Sequence, residues 1–477
     1  MARKAHALAC AGQLDEAVTE YGLAAQMVPD TESIDLERLR VEALLRRGRI
    51  SEALPAAEKL LGQIGLRIAL TAKASRTKLA TQWMQAKLRG LDFEERAIAD
   101  VDPHELLVAD VLYSIASGLA FTDPALGRVV QSELIRRALD AGEPIRVSLA
   151  LAQEIIYTSA AGSRTSNAVD TVATQLESIA QKIGAPQITG IVDTAIGIGA
   201  YANGRWRFAR ERLESGLAVM RDHGAGVRWE IDIGDTYWLG TLFYLGEWRE
   251  MSRQAQVLLR DALERGDVIA QHWLRSGRCN TAWLVSGRAD EARAHLEAAT
   301  AMLGDGFQLP HVHAVVAAAE LDLFAGDAAS AGHRLRDAWA QIERLGALRI
   351  QHVRVELAML RGRIALVMGD PRAARDHAHA MIKEDADWSA ALGRLLSAAC
   401  AVSEGDTHAA LDALALAEPV LDGAGMLGFL YIARAYRGRL EGGAAGVALE
   451  VAARDALVEL GARDPEILAY HLVPWSG

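Results

Sequence analysis

The sequence predicts an all-α solenoid of about eleven antiparallel helical hairpins, and three observations carry that expectation. The composition is 51% apolar but only 5% aromatic, with 11 prolines in 477 residues, and its Ala, Leu and Arg favour helix over strand. Glycines that close one helical pattern and open another recur about every 40 residues. A small residue then follows at a fixed offset, as the crossing of two helices requires.

The totals narrow the class further. Single cores stop growing at roughly 250–300 residues, so a chain of this length is either several domains or an elongated array. A formal net charge of −11 disfavours general nucleic-acid binding, which needs a concentrated positive surface. The three cysteines, Cys10, Cys279 and Cys400, are far apart in apolar helical patterns, so they read as buried reduced thiols of a cytoplasmic protein and not as a disulfide or metal framework. No apolar run reaches the roughly 20 residues that span a bilayer, and the opening "MARKAHALACAGQ" has no signal-like core.

The punctuating glycines are Gly12, Gly48, Gly204, Gly246, Gly287, Gly326, Gly369 and Gly405, and the later ones are spaced by 42, 41, 39, 43 and 36 residues. Five residues on stand Ala17, Ala53, Ala209, Met251, Ala292, Ala331, Ala374 and Ala410; nine on stand Tyr21, Ala57, Leu213, Ala255, Leu296, Leu335, Ala378 and Leu414. With apolar or small residues twelve on, these offsets form one helical stripe. Glycine takes the left-handed cap that ends the first helix, a short polar turn starts the second, and the small residue lets the two backbones approach. The small residue of "GRADEA", "GRISEA" and "GQLDEA" resembles that of tetratricopeptide (TPR) second helices. The period here is longer than that family's 34, and its early Trp and closing Pro are not regular.

Taken in order, the first helix has about ten residues before Gly12, against sixteen to eighteen in later first helices. An array that starts mid-helix bares its apolar end, so a preceding region or a partner is expected against it. Between Gly48 and Gly204 the punctuation is irregular, yet helix pairs still fit around "LLVADVLYSIASGLAFTDPALGRVVQSELIRRALDAGEP" and the run that follows. There Asp123-Pro124 starts a second helix as a cap followed by proline. The stretch "GLDFEERAIADVDPHE", residues 90–105, is the best break. The expected division is residues 1–90 as N-terminal hairpins plus a basic helix, 91–441 as the main array, and 442–477 as a capping helix and tail.

The runs "LRRGRISEALPAAEKLLGQIGLR", "KLRGLDFEERAIADVDPHELLVADVLYSIASGLAFTDPALGRVVQSELIRRALDAGEP", "YANGRWRFARERLESG" and "GVRWEIDIGDTYWLGTLFYLGEW" resemble the C-terminal helical-repeat region of large bacterial serine/threonine protein kinases, in which a kinase domain and an AAA-type ATPase module precede a long TPR-like array. The resemblance covers roughly residues 1–440 and implies a signalling protein whose array senses or scaffolds. The catalytic parts do not carry over: no Gly-rich loop with a VAIK-type lysine, no HRD, no DFG and no GxxxxGK[ST] occurs in the sequence. The glycine run "GIGAYANG" ends an amphipathic helix and reads as packing.

Six of the ten tryptophans fall in residues 206–283. Trp is common at binding hot spots, and the first helices of such hairpins line a concave surface. The candidate ligand- or partner-binding set is therefore Trp229, Glu230, Asp232, Trp238, His272, Trp273, Arg275 and Asn280, with gap-filling between Ala-rich helices as the plain alternative. Asp232 and Asp235 share a helix face but have no partner motif, so capping or solvation accounts for them. His311/His313 and His377/His379 stand two apart in helices and diverge too far to share a metal. Residues 59–90 hold seven basic side chains and no acid; Lys73, Arg76, Lys78, Lys87 and Arg89 form a candidate basic patch, neutralised internally by the acids that follow or met by an acidic partner.

These readings converge on a cytoplasmic, non-catalytic protein-interaction and regulatory scaffold with no cofactor or metal. Its partner is a protein or peptide, including a kinase/ATPase domain in cis, and it has no general nucleic-acid binding. The concave face around residues 190–355 is the expected ligand surface, and the alternative is a small-molecule or peptide sensor binding in a Trp-rich concave groove and signalling to an attached effector. An apolar, aromatic groove with a few fixed polar groups favours sensing, and a broad charged face favours scaffolding.

Overall fold

The structure, a computed structural model, describes residues 1–71, 89–224 and 226–475. Among these residues are twenty-four α-helices and no strand. They form eleven hairpins. The first four are α1 (Ala2–Cys10) with α2 (Leu14–Ala25), α3 (Asp30–Arg46) with α4 (Ile50–Gln63), α5 (Pro103–Ala120) with α6 (Pro124–Ala141), and α7 (Pro144–Ser159) with α8 (Ser166–Ile183). The next three are α9 (Pro186–Ala202) with α10 (Trp206–His223), α11 (Arg228–Leu245) with α12 (Trp248–Arg265), and a broken first helix, α13 (Val268–Arg275) plus α14 (Gly277–Val285), with α15 (Ala289–Thr300). The last four are α16 (Leu309–Phe324) with α17 (Ala328–Leu345), α18 (Gln351–Val367) with α19 (Pro371–Ile382), α20 (Asp387–Ser403) with α21 (Thr407–Ala424), and α22 (Leu427–Glu441) with α23 (Gly443–Leu460). A final helix, α24 (Pro465–Leu472), packs after them.

The repeat skeleton behaves as its chemistry requires. All eight punctuating glycines have φ between +72° and +83°. In the turn at Gly369 the Asp370 N–H bonds back to the Ala365 carbonyl, closing the end of α18. All eight residues five positions on, seven alanines and Met251, are 0% exposed. Asp123, Asp267, Asp327, Asp370, Asp406 and Asp464 each cap the following helix by accepting from its first free amides. The run "GIGAYANG" is packing: a Cβ on Gly197 would stand 2.6 Å from Leu213, and one on Gly199 2.8 Å from Ile155.

The array also closes on itself. Turns inside early hairpins seat on the N-terminal ends of first helices one superhelical turn later. Gly12 packs on Asp267, and the Gln308 Nε2 amide donates to the Gly48 carbonyl at 2.7 Å across 260 residues. The Leu309 N–H donates to Thr122, Gln351 to Ala160 and Arg463 to Val285, while the Ser163 N–H donates to the Gln351 side chain. Gly204 fits under Trp388, and Gly246 lies against Gly428. Arginines at the starts of second helices bind carbonyls at later helix ends, Arg207 to Asp422 and Gly423 and Arg249 to Val458 and Glu459, where the helix dipole favours a cation. This seam turns the expected open concave face into an interior.

Of the basic patch, Lys73, Arg76, Lys78 and Lys87 lie outside the described residues. Arg89 pairs with Asp140 at 3.0 Å and donates to the Asp92 carbonyl. The stretch after it runs back over the array, with Leu91 and Phe93 against the core of α6 to α9 and the Arg96 N–H bonded to the Gly142 carbonyl.

Candidate functional site

First helices of the third to ninth hairpins face one another across the interior, and between them lies a cavity of about 120 Å³. Its walls are mainly apolar and aromatic: Phe121 at the end of α5, Ile156 on α7, Ile198 and Tyr201 on α9, Ile233 and Tyr237 on α11, and Trp273 on α13. The rings are mutually positioned. Tyr201 meets Tyr237 edge to face at 5.1 Å, and Phe121 lies 6.0 Å from Trp273 and 6.4 Å from Tyr237. Gly240 makes room for this arrangement, because a Cβ there would stand 3.0 to 3.1 Å from the Tyr201 ring and hydroxyl.

The polar side of the cavity is built by the break between α13 and α14. Ser276 is extended and Gly277 has φ +53°, which redirects the chain and brings Arg278 onto Glu356 of α18 at 2.8 Å. The Tyr244 hydroxyl donates to the same carboxylate at 3.0 Å, and the Arg278 guanidinium lies 4.4 Å from the Phe243 ring centre. Burial alone would raise the Glu356 carboxyl, but Arg278 and then His352 overcome it and hold its pKa below the ordinary value. His313 and His352 also line the cavity; burial pushes His313 down to about 4 and lowers His352, so both are neutral at pH 7. Among the described residues, the Tyr201 and Tyr237 hydroxyls and the imidazoles of His313 and His352 have no protein hydrogen-bond partner. Cys279 reaches the wall, but burial pushes its thiol up to about 12, so it is a poor nucleophile.

Two further spaces adjoin the cavity. A vestibule of about 270 Å³ shares Pro124, Tyr157, Ala160, Leu309 and Ile350 with it and adds Arg128, Thr158 and the exposed Arg349. A chamber of about 30 Å³ lies behind Phe121, Ile156, Ile198 and Ile233. It is lined by Ser117, Gln153, Thr194, Trp229 and Glu230, each with a polar atom that has no protein partner among the described residues. A space of that size suits one or two water molecules.

The eight sequence candidates divide accordingly. Trp273 lines the main cavity; Trp229 and Glu230 line the small chamber, with Arg46 over the Trp229 ring at 4.8 Å and the Tyr113 hydroxyl 3.4 Å from Glu230. His272, Arg275 and Asn280 surround the helix break without lining the cavity. The His272 Nδ1 bonds the Ala299 carbonyl at 3.0 Å, and Arg275 donates to Gln271. The Asn280 amide donates to the carbonyls of Arg275 and Ala292, each at 2.9 Å, satisfying an oxygen that the break frees. Trp238 and Asp232 serve packing. The Trp238 indole donates to Glu214 at 3.1 Å. Asp232 sits between Arg228 and Arg265, its pKa pushed up to about 7 by burial despite them. Phe121, Tyr201, Tyr237, Arg278, His352 and Glu356 are not among the residues singled out from the sequence, and His313 stands there only as one of a pair too divergent to share a metal. Among the described residues no group of His, Cys, Asp and Glu has the spacing to hold a metal ion, and no helix is long and apolar enough to cross a membrane.

No family model matches the chain, and no curated protein matches it. Among solved structures it is similar to a chain of "Crystal structure of APC/C hetero-tetramer Cut9-Hcn1", at 11% identity over 91% of this chain and 96% of that chain, with a TM-score of 0.26. A superposition that loose carries no argument, and the TPR-like reading rests on the hairpins themselves.

Proposed function

We propose that the chain is a cytoplasmic, non-catalytic regulatory module of TPR-like repeats that binds a small ligand inside its superhelix and passes occupancy to a protein partner. The observation that carries this is the central cavity: aromatic and apolar walls, a few fixed polar groups without protein partners, and contributions from seven successive hairpins. A ligand there touches every first helix of one superhelical turn, so binding stabilises the closed form against any opened one. The filled interior leaves a long peptide no groove, which favours the small-molecule version of sensing. The resemblance to kinase-associated repeat regions supports a serine/threonine kinase or its ATPase module as the partner that reads the change.

The test is thermal unfolding of the protein against a panel of ring-sized and branched aliphatic compounds, run beside Ile233→Trp, which fills the cavity. At least one compound is expected to raise the wild-type Tm by several degrees and leave the variant unmoved. Equal shifts in both proteins, or none in either, would contradict the proposal.

A further inference from the structure

The cavity also carries information about what it accepts. Resting on the ligand-site reading above, we infer that its ligand is an uncharged single-ring aromatic bearing one hydrogen-bonding hydroxyl, a compound of the phenol class.

Size comes first. A cavity of about 120 Å³ is close to the roughly 150 Å³ apolar cavity known to take benzene, so it holds one ring and not two. Larger substituents have room only towards the vestibule. Shape comes second. The Tyr201–Tyr237 pair is edge to face, and Phe121 presents tilted and edge contacts to Trp273 and Tyr237, so the wall offers ring edges and faces at angles that a flat aromatic guest can match.

Charge is the third argument. Among the described residues the only ionised side chains on the wall are Arg278 and Glu356, and they satisfy each other at 2.8 Å. A carboxylate would meet Glu356 beside the guanidinium it needs, and an ammonium would meet the reverse. Either would be desolvated without a free counter-charge, at a cost that a neutral guest avoids. Hydrogen bonding is the fourth. The hydroxyls of Tyr201 and Tyr237 and the imidazoles of His313 and His352 have no protein partners among the described residues. Neutral imidazole supplies an acceptor and tyrosine a donor, so one ligand hydroxyl can both donate and accept there. A plain hydrocarbon would leave these groups unpaired, the condition under which sites discriminate most strongly.

Titration calorimetry with phenol, toluene, cyclohexanol, benzoate and benzylamine tests this on the full chain, with Tyr237→Phe and Ile233→Trp as variants. Phenol is expected to bind at least about tenfold more tightly than benzoate, benzylammonium and cyclohexanol, and about fivefold more tightly than toluene, the contribution of one hydrogen bond. Tyr237→Phe should shrink the phenol-over-toluene preference while leaving toluene binding intact. Should Tyr237→Phe fail to fold by circular dichroism, His313→Phe is the substitute. Tighter binding of either charged compound, or equal binding of phenol and toluene by the wild type, overturns the phenol class while leaving a ligand site. Absence of binding by all five, with wild type and Ile233→Trp alike, overturns the ligand site itself.

Discussion

At the residue scale, the interior is held by ionisable groups that burial has moved, and their signs oppose. His272 is lowered from 6.5 to about 4, and His313 likewise. Between those values the unfolded chain takes up protons that the folded one refuses, so this contribution is full above about pH 6.5 and is lost as pH falls towards 4. Asp232 is raised from 3.8 to about 7, so the folded state holds a proton that the unfolded state releases, and its contribution is lost as pH rises through that window. Urea unfolding from pH 4.5 to 7 should therefore show stability rising with pH more steeply in Asp232→Asn than in wild type, and less steeply in His313→Phe. Parallel slopes in all three would refute the assignment. Asp232 and Asp235 were visible in the sequence as a pair on one helix face. Their partners Arg228 and Arg221 stand nearby in sequence, but only burial makes the pair matter.

At the element scale, the hairpin was legible because its determinants are local. A glycine needed for a positive φ, a capping Asp and a buried Ala at a fixed offset all sit within a dozen residues. The seam was not legible, because it joins residues some 180 to 260 apart whose only sequence signal is again a turn glycine. Two kinds of turn glycine look the same in sequence and separate only in space. Gly204 and Gly369 have φ +74° and +79°, but a Cβ on Gly204 would stand 2.2 Å from Trp388, while one on Gly369 meets nothing within 4 Å. Gly369→Ala should cost about 1 kcal/mol for the backbone alone. Gly204→Ala should cost a further 1–3 kcal/mol for the clash at the seam, read as the difference in denaturant midpoints. Equal costs would mean that the turns do not bear on one another.

At the scale of the whole molecule, the proposed function depends on closure. A solenoid of this length read as a string of hairpins presents a long groove to a partner, and part of the tryptophan-rich stretch falls on the interior that the closed array makes of it. Trp273 lines the cavity and Trp229 the chamber beside it. Phe121, Tyr201 and Glu356, also on that wall, belong to three distant hairpins and meet only when the superhelix completes its turn. No periodicity places those residues together. The same closure links the parts: the seam turns at Thr122, Ala160, Gly204, Gly246 and Val285 belong to hairpins whose first helices line the cavity, so a guest that tightens the wall is expected to tighten those turns. Hydrogen exchange at the seam amides of Ser163, Leu309, Gln351 and Arg463, with and without phenol, tests this most directly. Exchange as slow as in buried helices, and slower still with phenol bound, is expected, whereas exchange at the rate of exposed loops, unchanged by phenol, would contradict a closed, ligand-coupled seam.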